Sequence, residues 1–443
     1  MSEIDSVDYY TDSSILGDPH SYFDHLRTRG AVTRLPHRNV VAVTGYDEAI
    51  QVMLDGEHFS TINALNGPFP PLPFEPEGDD ISEQLEAARP SMAFAELMFS
   101  QHGKRHADLR SLLSALFTPS RLKELEPKLY QAADNLIDEF VNDGCVDLVQ
   151  QYGGPYATLI IADLLGVSDG TRDKFRTLLA GGAEISSDLT HDEYQANALT
   201  GVGKILFQGI ALRCVLAHPI LKPLRDLAGF GKDPDGRDDI LTQLAVARFR
   251  DGAKPTLKDV AAVSAILFGA GQDTTAHLLA NAFKLIATWP DVQQALRDDP
   301  GLIPNFVEEM LRYDGPVKSG ARLCQRSTTL GDVEIKAGTT ILLSQMGANR
   351  DPRRFECPAD FEMGRKKAKE HLAFGRGPHT CIGASLARRE AIVSIERLLS
   401  RMRNIRLSEA RHGPEHDRRF DYQPTFVLRS LRGLHLEFDP AAN

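Results

Sequence analysis

Between Pro255 and Pro290 the chain repeats apolar residues at spacings of three and four, the pattern of one long amphipathic helix. Thr256 is placed to cap it, and Asp259, three residues on, suits the positive end of the helix dipole. A helix running on to Trp289 is about 50 Å long at 1.5 Å per residue. An element of that length crosses a whole domain, so the rest of the chain must pack around it. Its middle is unusual. Gly269-Ala270-Gly271-Gln272-Asp273-Thr274-Thr275 sets two glycines, an acid and two hydroxyls inside a span that reads as buried. Each glycine costs up to about 1 kcal/mol relative to alanine in a helix interior, so something must need the space.

Helical spacing also marks Arg110 to Phe117, Leu129 to Phe140, Tyr156 to Leu165 and Leu386 to Leu399. Strand signals are short: Val40 to Val43, Thr340 to Leu343 and Leu434 to Phe438. The fold class is mainly α (α+β), without the strand and helix alternation of a doubly wound sheet. Proline-rich Asn66 to Pro73 and glycine- and aspartate-rich Gly229 to Asp239 read as surface loops within one domain. No internal repeat divides the chain.

Composition then limits the function. Fifty Lys+Arg against 61 Asp+Glu leave a net charge of −11, which argues against affinity built on neutralising phosphates and so against nucleic acid. Five separated cysteines, with no Cys-x-x-Cys pair, point to a reduced, cytoplasmic setting. The acidic, polar N-terminus does not resemble a signal peptide, and charge interrupts the apolar runs well short of about 20 residues. A soluble protein without a membrane anchor is expected.

The chemistry concentrates in Phe374-Gly375-Arg376-Gly377-Pro378-His379-Thr380-Cys381-Ile382-Gly383. Cys381 precedes a predicted helix, whose N-terminal N–H groups and dipole favour a thiolate. Gly375 and Gly377 permit a tight turn, and Gly383 removes a side chain where a flat ligand could press on the helix. A hydrogen-bonded thiolate beneath a flat surface describes an axial haem ligand.

These residues resemble the cysteine-ligand loop of the cytochrome P450 superfamily, Phe-x-x-Gly-x-x-x-Cys-x-Gly, which Phe374, Gly377, Cys381 and Gly383 fill completely. Glu309 and Arg312 match the family's Glu-x-x-Arg pair, a buried structural lock. Its third partner is an arginine of a Pro-x-Arg-Phe segment. Here Pro358-Ala359-Asp360-Phe361 has Asp360 at that place, leaving Arg354 or Arg353 as candidates. Gly271, Asp273 and Thr274 match the oxygen-activation segment: Gly271 to open room over the iron, Thr274 to hydrogen-bond dioxygen, Asp273 to relay protons. His106, Arg110, Arg322 and His379 match partners of the haem propionates, where cationic donors suit carboxylates. His102 and His106 share a metal-ligand spacing, but the glutamate of His-Glu-x-x-His is absent, so His102 reads as an exposed helix-start histidine.

The resemblance covers nearly the whole chain and implies a soluble bacterial-type enzyme folded as one triangular domain, residues 1–443, with small β-sheets. It implies haem b (iron protoporphyrin IX) on the Cys381 thiolate, and insertion of one oxygen atom from O2 into a small molecule. Peroxide-driven peroxygenation and a non-catalytic haem ligand-binding protein are the alternatives. With no flavin or nicotinamide segment in the sequence, electrons would come from a separate ferredoxin or flavodoxin with its NAD(P)H-dependent reductase. The basic run Arg365, Lys366, Lys367, Lys369, Arg376, Arg388 and Arg389 would face that donor. Ile266, Ala270, Val317 and Phe426, mainly apolar, would line a pocket for a lipophilic substrate, and the protein would act as a monomer.

Overall fold

The computed structural model describes residues 6–92, 94–167, 170, 174, 198–216, 218, 220–227 and 240–441. The glycine-rich stretch 229–239 lies outside the described residues, as does most of 168–197. Helices dominate, and the described sheets are small.

The chain forms two compact units, each gathered from separated stretches. The first comprises Met1–Gly103, His277–Cys381 and Asn404–Asp439. Its larger described sheet has five strands in the order Val32–Arg34, Val40–Val43, Thr340–Leu343, Gly320–Cys324 and Phe59–Ser60. Val40–Val43 runs parallel to Thr340–Leu343 with Val41 opposite Ile341, and both strands are buried along their whole length, which explains their unbroken apolar sequence. Gly320–Cys324 pairs antiparallel with Thr340–Leu343, placing Arg322 opposite Ile341. One face of the sheet packs with Tyr46, Val52, Met53, Phe355 and Leu372. On the other, Val40, Ala42 and Leu342 meet an aromatic cluster of Tyr9, Tyr22, Phe23 and Phe426.

The second unit comprises Lys104–Ala276, Ile382–Arg403 and Pro440–Asn443. Its helices Pro119–Asp138 and Ala384–Arg401 run parallel, joined by a ladder of ion pairs: Arg389 to Glu126, Arg397 to Asp134 at 2.6 Å and Arg401 to Asp138 at 2.6 Å. The ladder advances by eight and then four residues on both helices, multiples that keep the partners on one helix face. Thr118 caps the first of these helices on the Arg121 N–H, with Pro119 in the first turn where a missing N–H does no harm.

The long helix is Leu257–Thr288. Its start is a reciprocal capping box: the Asp259 carboxylate accepts the Thr256 N–H at 3.0 Å, while the Thr256 hydroxyl accepts the Asp259 N–H at 3.1 Å. Arg105 pairs with Asp259 and, with the cap, holds its carboxyl below the usual range against the opposing effect of burial. The other predicted helices extend toward their N-termini, as Gly103–Ser114, Pro119–Asp138, Gly154–Leu165 and Ala384–Arg401. The proline-rich segment 66–73 is irregular as expected, but it is not all surface: Asn66 is buried, and a Cβ on Gly67, at φ +58°, would lie 2.8 Å from the Tyr10 ring.

Candidate active site

In the first unit the segment 371–381 folds as a compact loop. Gly375 and Gly377 take φ of +66° and +74°, and the Cys381 N–H closes the loop on the Phe374 carbonyl at 2.8 Å. A Cβ on Gly377 would also lie 2.6 Å from Leu54 Cδ2, at the end of an exposed side chain, and 3.4 Å from the Met53 carbonyl oxygen. Cys381 itself is exposed and is in no disulfide. Gly383, two residues on, is the N-cap of Ala384–Arg401 and accepts the Ala387 N–H at 2.9 Å.

Arg322 keeps some exposed surface, yet its guanidinium lies deep enough that burial pushes it down to about 10. Among the described residues it donates to the Ala321 carbonyl at 2.7 Å and has no carboxylate partner. A buried cation without a counter-charge is costly, and an anionic group on a ligand would relieve it. The ring of His379 stands edge-on to that of His102, 6.4 Å between centroids. His102 is not the exposed residue the sequence suggested. Its Nε2 accepts the Thr61 N–H at 3.1 Å and meets the Ser60 hydroxyl at 2.7 Å, which holds His102 against the edge strand.

In the second unit, His106 and Arg110 lie four apart on Gly103–Ser114, with His106 buried. Burial, then the Arg110 charge, lowers the His106 imidazole below its ordinary value. On the long helix the Thr274 hydroxyl donates back to the Ala270 carbonyl at 2.8 Å, a bond that competes with the helical ladder and loosens that turn. Gly271 has a packing reason to lack a side chain, since a Cβ would lie 2.7 Å from Ile161 Cδ1. Asp273 is half-buried.

The Glu309 lock is present, with a different third member. Arg312 donates twice to Glu309, both bonds 2.7 Å, and both side chains are fully buried. Arg365 supplies the second cation, its Nε 3.0 Å from Glu309 Oε1, and the Glu362 N–H reaches the same oxygen at 3.0 Å. Arg353 and Arg354 are engaged elsewhere, on Glu48 with Asp351 and on Glu370 respectively. Asp360 contributes its backbone carbonyl, to Arg312 at 2.9 Å, so the acid that breaks the sequence pattern leaves the lock intact. Buried Arg365 therefore leaves the basic surface, whereas Lys366, Lys367 and Lys369 are exposed. Arg389 is half-buried against Glu126 and Tyr130.

Of the apolar positions, Ala270 is exposed, Ile266 and Val317 are half-buried, and Val317 bridges Leu428. Phe426 is a core residue, its ring 4.9 Å from Tyr10 and its carbonyl accepting the Tyr9 hydroxyl at 2.8 Å. Sequence reading also missed a buried pair beside the lock: His371 Nε2 meets Glu308 at 3.2 Å while its Nδ1 accepts the Ala373 N–H at 3.2 Å. The second acceptor fixes the ring proton on Nε2, toward the carboxylate.

A sequence model of the family described as "Cytochrome P450" matches residues 77–300 and 301–420. The chain belongs to the cytochrome P450 family. As a P450 it is a haem-thiolate monooxygenase, an oxidoreductase. It is 30% identical to cytochrome P450 144 of Mycobacterium tuberculosis over 95% of this chain and 88% of that one. It is 31% identical to the P450 monooxygenase PikC of Streptomyces venezuelae, over 95% and 91% respectively. The substrate-free structure of Mycobacterium marinum P450 CYP150A6 superposes with a TM-score of 0.89 at 44% identity, covering 99% of this chain and all of that one. The mainly helical fold with small sheets is thus the P450 fold. Among the described residues no helix is long and apolar enough to cross a membrane.

Proposed function

We propose that this P450 hydroxylates a lipophilic small molecule in the cytoplasm, as one catalytic unit spanning residues 1–443 and as a monomer, drawing electrons from a separate ferredoxin or flavodoxin with its NAD(P)H-dependent reductase. The observation that carries the reading is Arg322, a desolvated guanidinium with no carboxylate partner among the described residues, in the chain whose Cys381 ends a glycine-shaped loop. Haem b suits that donor set: the Cys381 thiolate would hold the iron, and Arg322, His379, His106 and Arg110 would hold the propionates. Phe374, Gly377 and Gly383 shape the loop around the ligand. When bound, the iron porphyrin supplies dioxygen binding and its reductive activation.

The remaining work falls to side chains. The Thr274 hydroxyl, already turned along its helix to Ala270, offers its oxygen as an acceptor and can swing to donate. Asp273, half-buried, passes protons inward, and Gly271 lets the helix lie close to Ile161 without crowding the turn. Ile266, Ala270 and Val317 present apolar surface to the substrate. Lys366, Lys367 and Lys369 form the exposed cationic face for an acidic electron donor.

The test pairs spectra with product. Reduced protein under carbon monoxide should show the thiolate band, and Cys381→His should abolish it. Turnover of a lipophilic ligand with ferredoxin, reductase and NAD(P)H should incorporate one atom of labelled O2. Product with peroxide alone, and none with the reductase system, would overturn the monooxygenase assignment.

A further inference from the structure

Lys318 lies in the segment 316–320 between Glu309–Arg312 and the strand bearing Arg322, and it is 2% exposed. Its ammonium donates to the Thr425 carbonyl at 2.5 Å. Among the described residues no carboxylate pairs with it, leaving two of its three N–H donors unused. The carboxylate next along the chain is already taken: Asp314 is held by Arg429 at 2.8 Å, by Lys284 at 2.9 Å and by His20 at 3.3 Å. The charged group that acts on Lys318 is Arg429, a repulsive one, and burial together with that repulsion pushes the ammonium down to about 7. The backbone around it is firmly held. The Lys318 N–H reaches the Val427 carbonyl at 2.8 Å, its own carbonyl accepts the Met346 N–H at 3.1 Å, and Ser319 bonds the Phe426 carbonyl at 3.0 Å.

A lysine buried without a counter-ion between two tightly laced segments is a poor stabilising device, because a methionine of similar shape would fill the space without the charge. Val317, the residue before Lys318, is read above as lining the substrate pocket, and the inference rests on that reading. We propose that Lys318 is a specificity-determining residue that anchors a carboxylate, so that the substrate class is lipophilic acids and not neutral lipophiles. The carboxylate replaces the Thr425 carbonyl or joins it on the two spare N–H donors, and the apolar body extends away from it.

The experiment uses the haem-loaded protein and three probes of one chain length, dodecanoic acid, 1-dodecanol and methyl dodecanoate, with dissociation constants from equilibrium dialysis and from the spectral shift. At pH 6.5 the acid should bind tenfold or more tightly than the alcohol and ester. That preference should shrink as pH rises through the range where the ammonium loses its proton. Lys318→Met should bring the three constants within about twofold by weakening only the acid, while Lys318→Arg should keep the preference. A wild-type protein without acid preference, or a Lys318→Met protein that retains it, overturns the proposal. The reduced carbon-monoxide band separates this failure from that of the wider reading: a normal band with no acid preference sinks the anchor alone.

Discussion

The Glu390 carboxyl accepts a hydrogen bond from the Thr275 hydroxyl at 3.0 Å, joining Ala384–Arg401 to the long helix one residue beyond Thr274. Glu390 is 3% exposed and has no cation beside it among the described residues, and burial pushes its carboxyl up to about 7. With the folded value above the unfolded one, the folded state holds the extra proton, so stability falls as pH rises from about 4.5 to about 7. Glu390→Gln removes that slope. At pH 8 the variant should be the more stable, by up to about 3 kcal/mol, and near pH 4.5 the two should be nearly equal. Thermal denaturation of both proteins across this range checks the sign.

Arg322→Met separates the cost of a lone cation from its use. The haem-free chain should melt no lower than wild type, because an uncompensated guanidinium has been replaced by an apolar side chain. The loaded chain should release haem to a scavenger protein about tenfold faster, having lost a charge-assisted contact. A variant equally weakened with and without haem would assign Arg322 to the scaffold.

The lock predicts an order among arginines. Glu309→Ala leaves Arg312 and Arg365 buried without their acid and should cost about 3–5 kcal/mol. Arg365→Met should be the next most damaging, since it strips one cation from a fully buried carboxylate. Arg354→Met, which loses a part-exposed pair with Glu370, should cost less than about 1 kcal/mol. Urea denaturation ranks the three.

Electron transfer should depend on the exposed lysines and not on their buried neighbour. Lys366→Glu with Lys369→Glu should raise the KM for the donor severalfold and flatten its dependence on ionic strength, leaving substrate affinity unchanged. An unchanged salt dependence of reduction would move the docking face elsewhere.

What the sequence revealed and what it hid divide by distance along the chain. The capping box of Thr256 and Asp259 and the loop from Phe374 to Cys381 are local, set by residues three to seven apart, so their pattern is visible in a single stretch. The Glu309–Arg365 contact spans 56 residues, and nothing local distinguishes Arg365 from the basic residues around it; only burial does. His371 with Glu308, and Glu390 with Thr275, are hidden for the same reason. Phe426 shows the reverse case, an apolar residue whose sequence suits a pocket or a core equally, decided by Tyr9 and Tyr10 from the far end of the chain. Lys318 was passed over because a lysine in a loop reads as solvated until its burial is known.

The interleaving of the two units carries a consequence for biosynthesis. A nascent chain stopped before Ala384 would lack the helix whose arginines pair with Glu126, Asp134 and Asp138, and the first unit draws on residues as late as Asp439. Neither core can close while most of the chain is still being translated. The apolar faces of its early helices therefore wait for partners not yet made, and folding must be largely a post-synthetic event. A fragment ending short of the final segments should emerge as an aggregation-prone species, not as half an enzyme.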